Sequence, residues 1–330
     1  MTKTSTEENQ IDAAARRQRG EFVRGVSQFR HVIGDADFPA VPGRYHLFVA
    51  LNCPWCHRVT RARGALGLTA SISVDVAFPN RIAESNPAGP NLWEFAPDRV
   101  ATLTGAPLPE CTTETGTGQN RRLAIDIYGA EGSEEKSLPI LYDKKAGRIV
   151  SNESAEIIRM FSDIAETLGG HGNLAPAALR EEIETLNDKI YVTINNGAYK
   201  AGFSSDQAVY AAACDAYFDT LSDLEALLSD GRPFLTGETF TEADLRLFPT
   251  LYRHDPVYYV RMKLNGGRIL DYPHLWRWLC RVYALPGVAE AGSLVHCRQG
   301  YFGRTWNGTI PVGPMKPMTY PEAYEHPELA

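Results

Sequence analysis

Long apolar runs are missing from this 330-residue sequence. No stretch approaches the roughly 20 residues that a membrane-spanning helix needs, so no membrane partner is expected. Positive charge is not in excess either. Lys and Arg number 33 against 40 Asp and Glu, a net charge of -7, which repels phosphate backbones and anionic lipid and argues against nucleic acid as a partner. Cysteine is sparse and scattered: Cys53, Cys56, Cys111, Cys214, Cys280 and Cys297 contain a single close pair. That excludes a disulfide framework, and the lack of a second pair argues against zinc, so no metal is expected. Met1–Arg19 is polar and has no apolar core of a secretory signal, which makes the cytoplasm the expected compartment. Asn152-Glu-Ser154 and Asn307-Gly-Thr309 are then chance matches to the glycosylation pattern. There is no internal repeat and no low-complexity block.

What is present suits two packed units rather than one. Residues 1–40 read as an N-terminal extension that becomes ordered near Phe22. Tyr45–Ala50 is β-branched and aromatic behind the Pro42-Gly43 turn, His57–Leu66 has helical apolar spacing, and Ile72–Phe78 alternates as a strand. Pro79–Lys136, rich in Gly, Pro and Thr, reads as an insertion with a short helix or two. Leu138–Tyr142 and Arg148–Val150 form a hairpin around Lys144–Gly147, and a helix follows from Ser151 or Ser154 to about Leu168. Gly169, Gly170 and Gly172 mark a linker. Beyond it the periodicity is helical over 179–200, 205–229, 241–253 and 275–284, with Thr241-Glu-Ala-Asp244 as a capping box. The stretch from Thr305 on is rich in Pro and Gly and reads as a surface tail. The expected plan is α/β plus all-α, with an α/β domain over 41–168 and an all-helical domain over 169–330.

Cys53-Pro-Trp-Cys56-His57 stands where a strand passes into a helix. A thiol there faces unpaired N–H groups and the positive end of the helix dipole, both favouring thiolate. Pro54 suits the first helical position. Cys53 therefore reads as an exposed nucleophile, and Cys56, three residues on, as either a resolving thiol or a buried bystander. The pattern also matches c-type haem attachment, which an unexported chain does not undergo. Leu138-Pro139 before a strand suits a cis peptide whose neighbouring backbone pairs with a peptide-like thiol. Ser151-Asn-Glu153-Ser154 at a helix start can hold an amino-acid head group, its N–H groups taking a carboxylate and Glu153 an ammonium.

These segments, with Gly20-Glu-Phe-Val-Arg-Gly-Val-Ser-Gln-Phe-Arg30, Ile194-Asn-Asn-Gly-Ala-Tyr-Lys-Ala-Gly-Phe203, Asp255-Pro-Val-Tyr258 and Ile310-Pro-Val-Gly-Pro314, resemble the glutathionyl-hydroquinone reductases, the Xi class of glutathione transferases. The resemblance covers about Gly20 to Pro314. It implies a thioredoxin-like N-terminal domain, an all-helical glutathione-transferase C-terminal domain and a homodimer. It also implies a cysteine-type reductase that removes a small thiol from a thiol-conjugated aromatic quinol through a Cys53 mixed disulfide. By the same resemblance Trp93 packs on the bound thiol, Leu138 pairs with its backbone, and Glu153 and Ser154 hold its γ-glutamyl end. Tyr199, Tyr258 and Tyr301 surround the aromatic substrate.

Three departures stand out. Cys56 replaces a small non-thiol residue, Leu138 replaces valine, and Val100–Lys136 does not align. That last region is where the family supplies an arginine to the glycyl carboxylate. Arg121 and Arg122 are the candidates, and the co-substrate stays open among glutathione, mycothiol and γ-glutamylcysteine. An omega-like thiol transferase acting on mixed disulfides and a non-enzymatic ligand carrier are the competing functions.

Overall fold

The computed structural model describes residues 16–18, 20–79, 92–104, 121–286, 291–303 and 309–311. All of the expected tail but 309–311, Cys111, residues 1–15, and segments 80–91 and 105–120 of the insertion lie outside the described residues.

Strands β1 (Tyr45–Val49), β2 (Ile72–Val76), β3 (Ile140–Asp143) and β4 (Arg148–Ser151) form one sheet in the order β2-β1-β3-β4. β1 runs parallel to β2 through the crossover helix α1 (Pro54–Ala65) and antiparallel to β3, which pairs antiparallel with β4. All five residues of β1 are buried, the pattern of a central strand covered on both faces. The insertion holds two short helices, α2 (Pro97–Thr104) and α3 (Ala124–Gly129). After β4 comes α4 (Ser154–Ile164), whose Ile157, Ile158 and Phe161 join Leu47, Val49, Val59 and Ile140 in the first core. This is a thioredoxin-like unit.

The rest is helical: α5 (Arg180–Ile190), α6 (Asn196–Phe203), α7 (Gln207–Leu228), α8 (Glu242–Arg253), α9 (Pro273–Tyr283) and α10 (Leu294–Phe302). Leu221, Leu247, Phe248, Tyr258 and Trp278 anchor the second core. The periodicity over 179–200 implies one helix, whereas α5 and α6 are joined by a wide π-helical turn at Tyr191–Asn195. A second such turn, His254–Tyr258, prolongs α8. Turns of this kind re-aim side chains and recur at functional sites.

α8 ties the two parts together. Its Leu245 belongs to the first core and its Phe248 to the second. Arg61 of α1 lies 3.6 Å from the Phe248 ring centre and donates to the Val282 carbonyl at 3.1 Å. At the start of α8 the expected reach-back forms: Asp244 accepts from the Thr241 amide at 3.0 Å, and also from the Leu235 amide at 2.9 Å and Trp278 Nε1 at 2.8 Å.

The extension bridges both parts. Gly20 accepts from the Ser205 amide at 2.9 Å, and the Phe22 amide donates to Ser204 Oγ at 3.2 Å, both at the end of α6. Further along, the His31 amide donates to the Val150 carbonyl and the Asn152 amide to the Phe29 carbonyl, beside β4.

Candidate active site

The loop Ala50–Asn52 carries the chain from β1 into α1 and sets Cys53 at the N-cap, with φ -83° and ψ 122°. Its sulfur lies 3.7 Å from the Leu138 carbonyl, at a Leu138–Pro139 bond that is cis. Cys53 is only 8 % exposed, which corrects the expectation of an exposed nucleophile. The sequence places it at an open strand end, but α6, α10 and the His254–Tyr258 turn of the helical part close over that end.

Burial alone would raise the Cys53 thiol. A hydrogen bond from the Cys56 thiol, the Cys56 and Trp55 amides and the charge of Arg253 together outweigh it and bring the group down to about 6. Cys56 shows the opposite behaviour: burial and its bond to Cys53 push it well above the ordinary thiol range. It is 1 % exposed and acts as donor to its neighbour. His57 is pushed well down, by burial first and then by Arg253 and Arg61, and is a neutral imidazole.

Three phenols meet beside the cysteine loop. Tyr199 comes from α6, Tyr258 from the π-helical turn and Tyr301 from α10. The Tyr301 hydroxyl lies 2.6 Å from that of Tyr199 and 3.1 Å from that of Tyr258. Burial raises all three phenols; for Tyr199 the charge of Cys53 adds to it, which puts the cluster within electrostatic reach of the sulfur. Trp55 closes one side, 6.3 Å from the Tyr199 ring and beneath the guanidinium of Arg24 at 3.6 Å. Phe22 packs on Tyr199 at 5.9 Å.

α10 was not legible as a helix because Gly300 sits inside it. The glycine is a packing requirement: a Cβ there would lie 2.2 Å from Asn52 Nδ2 and 2.9 Å from the Pro79 carbonyl. That close approach brings Tyr301 to the cysteine loop.

At the start of α4, Glu153 is the N-cap residue, accepting from the Ala155 amide at 3.2 Å and from Ser27 Oγ at 3.0 Å. Ser154 is fully buried and its Oγ has no partner among the described residues. An orphan hydroxyl at a helix start is what a missing ligand group leaves behind, so the residues present fit an amino-acid head group. Trp93 is buried, its carbonyl accepting from the Ala124 amide at 3.0 Å. Arg122 pairs with Glu94, and Arg121 donates to the Asp126 carbonyl at 3.1 Å. No group of three or more His, Cys, Asp or Glu among the described residues is placed to hold a metal.

Residues 207–281 match the family model for the glutathione S-transferase C-terminal domain. Over 318 residues the chain is 40% identical to the glutathionyl-hydroquinone reductase YqjG of Escherichia coli K12, covering 92% of each. The chain belongs to the glutathionyl-hydroquinone reductase family, the Xi class of glutathione transferases. The Xi transferase of Phanerochaete chrysosporium superposes with a TM-score of 0.79 at 35% identity, covering 91% of this chain and 95% of that one. The glutathione-bound structure of YqjG gives 0.77 at 37% identity, over 91% and 97%.

Within this Xi-class fold, sequence reasoning passed over one residue. Arg253 is fully buried at the end of α8 and donates to the carbonyls that precede Cys53. The available signal was a charged residue inside the apolar spacing of 241–253.

Proposed function

We propose that this chain removes glutathione from glutathionyl-hydroquinones, as the name of its Escherichia coli relative describes. The observation that carries the reading is a low-pKa thiol in a loop that three linked phenols adjoin. The Cys53 thiolate attacks the sulfur of the conjugate. A sulfur–sulfur bond forms, the sulfur–carbon bond breaks, and its electron pair goes to the aromatic carbon, which takes up a proton. The hydroquinone leaves and a Cys53–glutathione mixed disulfide remains. A second glutathione thiolate attacks the glutathionyl sulfur, giving glutathione disulfide and regenerating the Cys53 thiolate.

In this cycle Tyr199, Tyr258 and Tyr301 donate to the substrate oxygens as charge moves into the ring. Leu138 pairs with the thiol's backbone, Trp93 packs on it, Ser154 Oγ and the α4 amides take its γ-glutamyl carboxylate, and Glu153 its ammonium. Cys56 donates to Cys53 and holds it as thiolate. Residues 41–168 then form the thiol-binding domain and 169–330 the quinol-binding one, in a cytoplasmic homodimer.

The test is turnover of a menadiol–glutathione conjugate with glutathione, followed by chromatography of the released menadiol. Wild type should release it and Cys53→Ser should not; near-wild-type release by the serine variant sinks the reading. A simple glutathione mixed disulfide run in parallel separates the omega-like alternative, which the burial of Cys53 disfavours for protein substrates. Mass spectrometry after incubation with each candidate thiol disulfide identifies the co-substrate. Loss of two hydrogens there would reveal a Cys53–Cys56 bridge and a resolving Cys56.

A further inference from the structure

Arg253 is a buried cation without a carboxylate. Its residue is 0 % exposed, and no ion pair joins it to an Asp or Glu among the described residues. A guanidinium in that state is unfavourable unless its donors are satisfied and a counter-charge lies close. Four of its five N–H donors meet neutral acceptors. Nε donates to the Asn52 carbonyl at 3.2 Å, one terminal nitrogen to the Leu51 carbonyl at 2.9 Å, and the other to the Pro249 carbonyl and His57 Nδ1, each at 2.8 Å. An imidazole that accepts at Nδ1 carries its proton on Nε2, and a neutral ring adds no second positive charge. The planar fork thus grips two consecutive carbonyls of the loop that ends at Cys53.

We propose that Arg253 is the positioning residue of the Cys53 thiolate: it fixes the Leu51–Asn52 backbone that sets the sulfur at the helix start, and it supplies the buried positive charge whose counter-ion is that thiolate. The groups facing the sulfur are accounted for. From its own helix come Cys56, a protonated donor, and neutral His57. From α6, the π-helical turn and α10 come Tyr199, Tyr258 and Tyr301, all held as neutral phenols. Cys297 of α10, buried and 3.7 Å from the Leu51 carbonyl, is raised by burial first; the charge of Arg253 lowers it, that of Cys53 raises it, and the net direction is upward. Among these groups Arg253 alone is cationic, and Cys53 is the one thiol or phenol whose pKa is lowered. The same charge favours ionisation of each of the three phenols, so one residue serves both the nucleophile and the donors above it.

The reading deepens the reductase proposal, but its main readout, the alkylation midpoint, needs no quinol conjugate, so the two can fail separately. Alkylation of Cys53 by iodoacetamide is followed against pH by mass spectrometry in wild type, Arg253→Gln and Arg253→Lys, with circular dichroism as the check of folding. The midpoint is the readout, because intrinsic nucleophilicity changes with acidity. Arg253→Gln should move the midpoint up by at least about one unit, a tenfold smaller thiolate fraction at pH 5. A folded glutamine variant with the wild-type midpoint overturns the proposal. Arg253→Lys keeps the charge and cannot span two carbonyls. It should hold the midpoint within about half a unit while kcat falls about tenfold or more and the acid limb of the rate profile stays in place. If the glutamine variant does not fold, the lysine variant decides. Wild-type turnover, or a midpoint displaced by a unit or more, overturns the assignment.

Discussion

At the scale of single residues, the site depends on one sulfur being charged where burial opposes charge. The pKa of Cys53 falls from the ordinary 9.0 to about 6 on folding. Below about pH 6 both folded and unfolded thiols are protonated, so this group adds nothing to stability. Between about 6 and 9 the unfolded chain binds more protons than the folded one, and stability rises with pH. The difference in urea stability between wild type and Cys53→Ser should therefore grow across that window, by a few kcal/mol in total. The acid limb of kcat/KM should fall near the same pH of about 6. Cys56→Ser keeps a donor and should retain most turnover. Cys56→Ala removes it, and the alkylation midpoint of Cys53 should rise. Ser154 offers a cleaner separation of binding from folding. Its hydroxyl has no partner among the described residues, so Ser154→Ala should leave the melting temperature unchanged and raise KM for glutathione about three- to tenfold.

At the scale of elements, legibility followed locality. β1, α1, the β3–β4 hairpin and the Thr241–Asp244 box announce themselves through patterns within a few residues of one another, and the structure has them close to where those patterns put them. Cys53 was legible for the same reason, since a strand end and a helix start adjoin it. α10 was not, because the reason for Gly300 lies at Asn52, far away in the chain. The π-helical turns likewise leave no mark in apolar spacing, although one of them aims Tyr258. Arg253 needed both parts of the molecule to be understood, since its acceptors Leu51 and Asn52 are some 200 positions earlier. The capping box also does more than start a helix. Asp244 gathers the Leu235 amide and the Trp278 indole as well as the Thr241 amide. Asp244→Ala should strand these buried donors and lower stability by about 3 kcal/mol or more in urea unfolding. Gly300→Ala should be folded but slow, since any accommodation moves Tyr301 relative to the cysteine loop.

At the scale of the whole molecule, the active site belongs to neither part alone. The sulfur comes from the thioredoxin-like unit, the phenols from the helical one, and the extension crosses between them. Phe22 packs on Tyr199, and Arg24 lies over Trp55. A chain beginning at Gly25 loses both. It should react faster at Cys53 with a bulky maleimide than with iodoacetamide, each relative to full length. An unchanged ratio would mean that the extension does not restrict access.

The three phenols have a consequence in simple arithmetic. Each hydroxyl carries one proton, and the two contacts through Tyr301 use two of the three. One proton is left over to point outward, toward a guest. Rotating the hydroxyls in concert, with no heavy atom moving, turns that outward donor into an outward lone pair. In the proposed cycle the same row can then meet a carbonyl oxygen with a proton and a hydroxyl with an acceptor, a two-way valve set by which end of the row is occupied.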